Sequence, residues 1–177
     1  MKSIMQAHNN KLIKPNIATT DPNKKCNCRA RNQNTCPLDG NCLSATVVYE
    51  ATVKHNNTEK HYIGSTEGPF KTRYNGHTQT FRTENKKDST ALSQYIWTNN
   101  LNPNPTVKWK LLVKTQPYTP GQTHCQLCVS EKLEIAKRNS NPDYLNKHTE
   151  FGRKCLHKHK YTLGNYRKKK KNTSDND

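Results

Sequence analysis

The chain has 177 residues and a formal charge of +17, from 30 Lys and Arg against 13 Asp and Glu, with 30% hydrophobic and 7% aromatic residues. That length fits one domain with irregular extensions, and so few core-forming residues exclude a large hydrophobic core, so stabilisation from another source is expected. No apolar run approaches the roughly 20 residues that cross a bilayer, so no membrane partner is expected, and the basic field is one that attracts polyanions, nucleic acid foremost.

In chain order, residues 1–25 are rich in Asn, Lys and Thr without periodicity and read as a flexible segment. They contain no signal-peptide apolar block, so the expected location is intracellular. Residues 26–45 hold four cysteines in "CNCRARNQNTCPLDGNC". Next, "ATVVYEATV" alternates Val47, Tyr49, Ala51 and Val53, and "KHYIGS" follows the polar turn "HNNTE", a β-hairpin signal. Pro69 opens a predicted amphipathic helix with Phe70, Tyr74, His77 and Phe81 on one face. A second helix places Leu92, Tyr95 and Ile96 at helical spacing behind Ser89 as N-cap. "TVKWKLLVK" predicts a third strand with Val107, Trp109, Leu111 and Val113 inward and Lys108 and Lys110 outward. A last helix over Cys128–Arg138 carries Val129, Leu133 and Ala136 at helical spacing. The order β-β-α-α-β-α defines an α+β fold. Residues 148–166 form a C-terminal Cys/His segment, and 167–177 a basic and polar tail whose "RKKKK" suits either a nuclear address or a nucleic-acid contact.

Seven cysteines in a reducing compartment argue against a disulfide framework and for metal. Cys125 and Cys128 have the spacing of a zinc knuckle, and Cys155 and His157 downstream complete four ligands for a structural zinc, with His159 as a spare imidazole. Cys26, Cys28, Cys36 and Cys42 offer a second, all-thiolate zinc site, with mixed sites and free buried thiols as the competing accounts. Zinc would supply the folding free energy that a core poor in leucine and isoleucine lacks.

Arg73 and His77 lie one helical turn apart on the same side of the first helix, a pair suited to forking onto a phosphate and handling a proton, although such pairs are more often plain surface features. Their surroundings are more specific. Tyr49 in "VVY", Tyr62 in "YIG", Arg73 and His77, with Glu131 in "CVSEKLEI" and Asn146 in "YLNKH", resemble the ordered pattern of the GIY-YIG nuclease family over about Thr46–Lys147. The resemblance implies a three-stranded antiparallel sheet flanked by helices, here a nuclease-like domain over 46–147, with one site for phosphodiester hydrolysis. The family's first-motif glycine is replaced, since the triplet reads Val47-Val48-Tyr49, which puts a tight backbone approach there in doubt. The cysteines flanking the hairpin and preceding the glutamate helix further resemble the endonuclease domain of Penelope-like retroelements, which implies a reverse transcriptase domain or protein as a partner and a mobile-element setting.

Carried over residue by residue, the resemblance implies that Glu131 holds a catalytic Mg²⁺ or Mn²⁺, with Glu134 as the competing carboxylate. Arg73 would neutralise the phosphate in the transition state. Tyr49 would be the general base, its pKa depressed by neighbouring cations, with His77 sharing the proton, Tyr62 orienting water or phosphate, and Asn146 positioning. Lys60, Lys71, Arg82, Lys86 and Lys87, close to these residues in sequence, are expected to contact DNA phosphates. The expected activity is a metal-dependent DNA endonuclease. The rival readings are a catalytically idle, zinc-stabilised nucleic-acid-binding module and a histone-like or viral basic protein of another fold.

Overall fold

In the computed structural model, which describes residues 4–7, 25–28, 36–119, 122–147, 150, 152–155 and 157, the central hairpin reverses at Asn56 and Asn57. Both have positive φ, 44° and 61°. A two-residue hairpin loop with both central residues in that region matches the right-handed twist of the strands it joins, and asparagine tolerates it. The hairpin is β1 (Val47–His55) and β2 (Thr58–Thr66), longer at its turn end than the alternating apolar residues alone suggest. The chain continues through α1 (Phe70–Arg82), a 3₁₀ turn over Glu84–Ser89, α2 (Ala91–Thr98), β3 (Val107–Lys114) and α3 (Gln126–Ala136). The fold is α+β in the element order that the residue patterns predict, with a three-stranded antiparallel sheet of order β2-β1-β3 flanked by helices.

Each face of the sheet carries its own cluster. Val47, Tyr49, Ala51, Val53 and Tyr62 pack with Phe70 and Phe81 of α1 and Leu92 and Ile96 of α2. On the opposite face Val48 and Ile63 pack with Leu127 and Ile135 of α3. Val47, which stands where the family glycine would, is fully buried in the first cluster, so this strand spends the position on packing.

Three expectations need correcting. Val113 does not share a face with Val107, Trp109 and Leu111: the register shifts so that Val48 pairs with Val113 and Tyr49 with Leu111. The extra residue, Leu112, is a bulge that turns the strand end, and Leu112 and Val113 both join the α3 side. The N-cap of α2 is Thr90 instead of Ser89, because the 3₁₀ turn consumes Ser89 and Thr90 forms a reciprocal capping box with Ser93. On α3 the stripe Val129–Leu133 is exposed, at 51% and 52%; the helix faces the sheet through Leu127 and Ile135, roughly half a turn away. Residues 167–177, His159 and most of 1–25 lie outside the described residues, a short helical turn at 4–7 apart.

Gly64 decides how β2 meets β1. It pairs with Tyr49, and a Cβ on it would lie 2.6 Å from the Tyr49 hydroxyl and 2.8 Å from Cζ. The Tyr49 ring thus folds across the bare backbone of the partner strand. A Cβ on Gly76, in the middle of α1, would meet nothing within 4 Å. Gly64→Ala is therefore expected to lower unfolding free energy by about 1–3 kcal/mol through overpacking, and Gly76→Ala to raise it by roughly 0.5–1 kcal/mol through helix propensity. Urea denaturation of the two variants beside the wild type reads both signs.

Candidate functional site

Tyr49, Arg73 and His77 form one hydrogen-bonded chain beneath α1. Arg73 Nε donates to the Tyr49 hydroxyl at 2.9 Å, and that hydroxyl lies 2.8 Å from His77 Nε2. An arginine N–H only donates, so the phenol accepts from Arg73 and gives its own proton to the imidazole, which fixes His77 in the tautomer protonated at Nδ1. Tyr49 and His77 are both buried, at 0% and 1% exposure, among Phe70, Phe81 and Trp109. Burial, and secondarily the Arg73 charge, lowers the His77 pKa to about 3, so the ring is a neutral acceptor. The Tyr49 pKa is raised, because burial outweighs the opposing pull of Arg73. The expectation that neighbouring cations depress it is overturned on that ground: the hydroxyl is dry, and a phenolate there lacks water.

Arg73 turns from this chain into a cleft of about 330 Å³ that it lines together with Tyr62 and Ser65 of β2 and Glu131 of α3. Lys132, Glu150, Arg153 and Lys154 add further polar groups, and Cys128 and His157 also line it. Tyr62, Arg73 and Glu131, far apart in the chain, thus share one concavity. Burial, followed by the influence of Tyr49, pushes the Tyr62 pKa well above the phenol range, which keeps its hydroxyl protonated as a donor. Glu131 is raised from the usual carboxylate value, first by burial and then by the nearby Glu150 carboxylate, against a hydrogen bond from Ser65 and the charges of Arg73 and Arg153.

The competing carboxylate, Glu134, is 7% exposed and accepts from Lys137 Nζ at 2.7 Å and from Arg138 Nη1. It stands one helical step from the cleft and is already neutralised. Asn146 does not line the cleft. Its Oδ1 accepts from Ile63 N–H and its Nδ2 donates to Ile63 C=O, both at 2.8 Å, so the amide continues the ladder that His61 begins with Asp143 and Leu145 along the outer edge of β2. Its second N–H holds Glu150 Oε2 at 2.7 Å.

None of the five cations expected at phosphates lines the cleft. Lys60 pairs with Asp143, Lys71 bonds Asn27, Arg82 bonds Asn104, Lys86 bonds Gln79 and Lys87 faces Glu84. Lys60 stands on β2, Lys71 and Arg82 on α1, and Lys86 and Lys87 on the 3₁₀ turn, so closeness in sequence does not bring them to the wall of the cleft. Ser65, Glu150, Arg153 and Lys154 escaped sequence reasoning. Ser65 carried a signal, lying three positions after Tyr62 and so near the same end of β2; the other three reach the cleft through a loop without periodicity.

Both groups of zinc-type ligands assemble. The thiols of Cys26, Cys28, Cys36 and Cys42 have Sγ separations of 3.5–3.7 Å along their contacts. Four ligands at the usual zinc–sulfur length span tetrahedron edges of about 3.8 Å. The Cys42 thiol is pushed up to about 12, by burial before all else, while Cys36, though partly buried, is drawn down to about 7 by backbone N–H groups around Leu38 and Gly40. In the second group Cys128 Sγ lies 3.4 Å from Cys155 Sγ and 3.2 Å from His157 Nδ1, with Cys125 Sγ 3.5 Å from the same nitrogen. Each group could hold a zinc ion, and no ligand is shared between them.

His77 yields a stability test. Its pKa is about 3 folded and roughly 6.5 unfolded, so as pH falls below 6.5 the unfolded chain takes up a proton that the folded one refuses. Stability is thereby lost with falling pH at up to about 1.4 kcal/mol per pH unit from this residue alone. Unfolding free energies measured between pH 4 and 7 are expected to slope more steeply for the wild type than for His77→Gln, and equal slopes would assign the imidazole an ordinary pKa. In comparisons of the chain with protein-family models, with curated proteins and with solved structures, nothing matches.

Proposed function

We propose that this protein is a metal-dependent DNA endonuclease of the GIY-YIG type, which hydrolyses phosphodiester bonds in duplex DNA. The observation that carries the reading is the meeting of Tyr62, Arg73 and Glu131 in one polar cleft, with Arg73 held from behind by Tyr49 and His77. A nuclease needs a fixed cation for the phosphate, a carboxylate for a divalent ion and an oriented donor, and these three residues supply one each.

Arg73 neutralises a non-bridging oxygen of the scissile phosphate as the attacking water adds to phosphorus, the water's proton passing to solvent in the open cleft, and the P–O3′ bond breaks. Because its Nε is committed to Tyr49, the guanidinium presents its remaining N–H groups to the cleft in a fixed orientation, so little reorganisation accompanies charge development. Tyr62 offers a phenol that stays protonated at neutral pH and orients the water or the phosphate by donating from Oη. Tyr49, with a raised pKa and no exposed surface, serves by holding Arg73 while its own hydroxyl stays protonated and hydrogen-bonded to His77 Nε2, and not by direct contact with bulk water. Arg153 and Lys154 give the cleft its further positive charge for the DNA backbone.

The donor set suits Mg²⁺ or Mn²⁺: Glu131 offers hard carboxylate oxygens in a cleft open to water, while Cys128 and His157, which also line it, are gathered with Cys125 and Cys155 in the second zinc-type group. Glu131 would hold the ion, which when bound supplies charge neutralisation at the phosphate and at the leaving oxygen. Zinc in the two cysteine groups is structural in this proposal, and a link to a reverse transcriptase and to retroelement insertion rests on the Penelope-like resemblance alone.

Supercoiled plasmid with Mg²⁺ tests the activity. Wild type is expected to relax or linearise it, and Arg73→Ala to lose about 100- to 1000-fold in rate, the scale of removing one transition-state donor. Glu131→Gln is expected to lose at least as much, with plasmid binding retained by both. Binding without cutting by the wild type would leave a nucleic-acid-binding module. Elemental analysis of the purified protein is expected to return two zinc per chain, with chelation lowering the thermal midpoint; a zinc-free yet fully folded protein would return the cysteines to free thiols.

A further inference from the structure

We propose that Glu150 is a second carboxylate ligand of the divalent cation in this cleft, delivered there by Asn146. This rests on the metal-dependent reading above and adds a residue that the nuclease pattern does not include.

Three observations carry it. First, Glu150 and Glu131 line the same cleft, and each reaches it from a separate element, the loop after Asn146 and helix α3. Second, neither carboxylate forms an ion pair with a Lys, Arg or His among the described residues, in a chain with 30 Lys and Arg for 13 acids. Of the cations that line the cleft, Arg73 gives its Nε–H to Tyr49 and Lys132 its Nζ to the Arg153 carbonyl at 3.0 Å, while Arg73 and Arg153 act on Glu131 through their charge without forming an ion pair with it. Other acids of the chain do take partners, Glu134 with two cations, Glu59 with Lys54 and Asp143 with Lys60. Third, Glu150 is held from one side only. Asn146 Nδ2 donates to Oε2, and no hydrogen bond to Oε1 occurs among the described residues, so a ligating oxygen is left over.

Two carboxylates facing one cleft repel each other unless one is protonated or a cation lies between them. A Mg²⁺- or Mn²⁺-type ion prefers one or two carboxylates with water and phosphate oxygens filling the other positions, which matches this pair in an open cleft. Asn146 then acts as a positioning residue. It reads its place from both backbone groups of Ile63 and transmits it to Glu150, as outer-shell amides do for metal-binding carboxylates.

The test is Mn²⁺ binding to the zinc-loaded full chain, followed by the electron paramagnetic resonance signal of free Mn²⁺. Glu150→Gln keeps an amide oxygen to accept from Asn146, so the fold and the edge of β2 are preserved. Wild type is expected to bind one Mn²⁺, with Glu150→Gln and Glu131→Gln each weakening the affinity at least about tenfold. Glu59→Gln, on the hairpin, is expected to leave it unchanged. Plasmid cleavage by Glu150→Gln should fall at low Mn²⁺ and recover as Mn²⁺ is raised. Unchanged Mn²⁺ affinity in Glu150→Gln beside a weakened Glu131→Gln would overturn the assignment while leaving the nuclease reading intact, and a wild type that binds no Mn²⁺ would overturn it outright. Failure of the wild type to cut plasmid, with the Mn²⁺ pattern as expected, would instead count against the nuclease and not against the carboxylate pair.

Discussion

The Arg73–Tyr49–His77 chain is the constraint around which the domain is arranged. An arginine on an exposed helix is neither confined nor directed. Here a phenol from the central strand accepts from Nε and in turn gives its proton to a buried imidazole four residues further along the same helix. Burying two polar rings is costly unless each finds a partner, and they find each other. The cost falls further because Gly64 leaves no Cβ where the Tyr49 hydroxyl sits. A glycine in β2, a tyrosine in β1 and a histidine in α1 thus act as one unit whose output is the direction of Arg73.

Around that unit, the two thiol groups settle where the helices begin. Lys71 N–H donates to the Cys42 carbonyl and Phe70 N–H to the Ser44 carbonyl, so the first group ties the start of α1, two turns from His77. Cys125 is the N-cap residue of α3, and Cys128 and Glu131 lie on successive turns of that helix, so the second group fixes the helix that carries the cleft carboxylate. Cys155 follows Arg153 and Lys154 directly, which anchors the cationic rim to the same group. A zinc ion in either group would give a chain with few leucines and isoleucines part of what a larger domain draws from apolar burial, because metal binding adds folding free energy at the points where it is coordinated.

Much of this arrangement was legible in the residues. The strands and α1 announce themselves through alternation and helical spacing, and the thiols through their count and spacing, because those signals are local and physical. The ordered tyrosines, arginine, histidine and glutamate point to a cleft that the fold does form around Tyr62, Arg73 and Glu131. What was not legible depended on contacts between distant segments. The Leu112 bulge is invisible in "KWKLLVK" because Leu112 and Val113 are both apolar and either could continue the alternation. The face of α3 was misjudged because Val129 and Leu133 are as apolar as Leu127 and Ile135, and the sheet selects between the two stripes. Lys71, two residues before Arg73, does not line the cleft, because helix geometry sends neighbouring residues to different sides.

Asn146 shows why an amide, and no other side chain, serves at the edge of β2. Ile63 presents one N–H and one C=O outward from the ladder, and a partner must accept from the first and donate to the second. A carboxylate of the same length can accept but has nothing to donate, and it would set a charge beside Glu150. A serine has one oxygen and cannot reach both groups at once, and a glutamine is longer by a methylene and would displace the pair. The asparagine amide meets both backbone groups and retains one further N–H, which it spends on Glu150. The requirement at this position is therefore set by three hydrogen-bonding groups on two segments, and a residue that lies outside the cleft determines where one of its carboxylates stands.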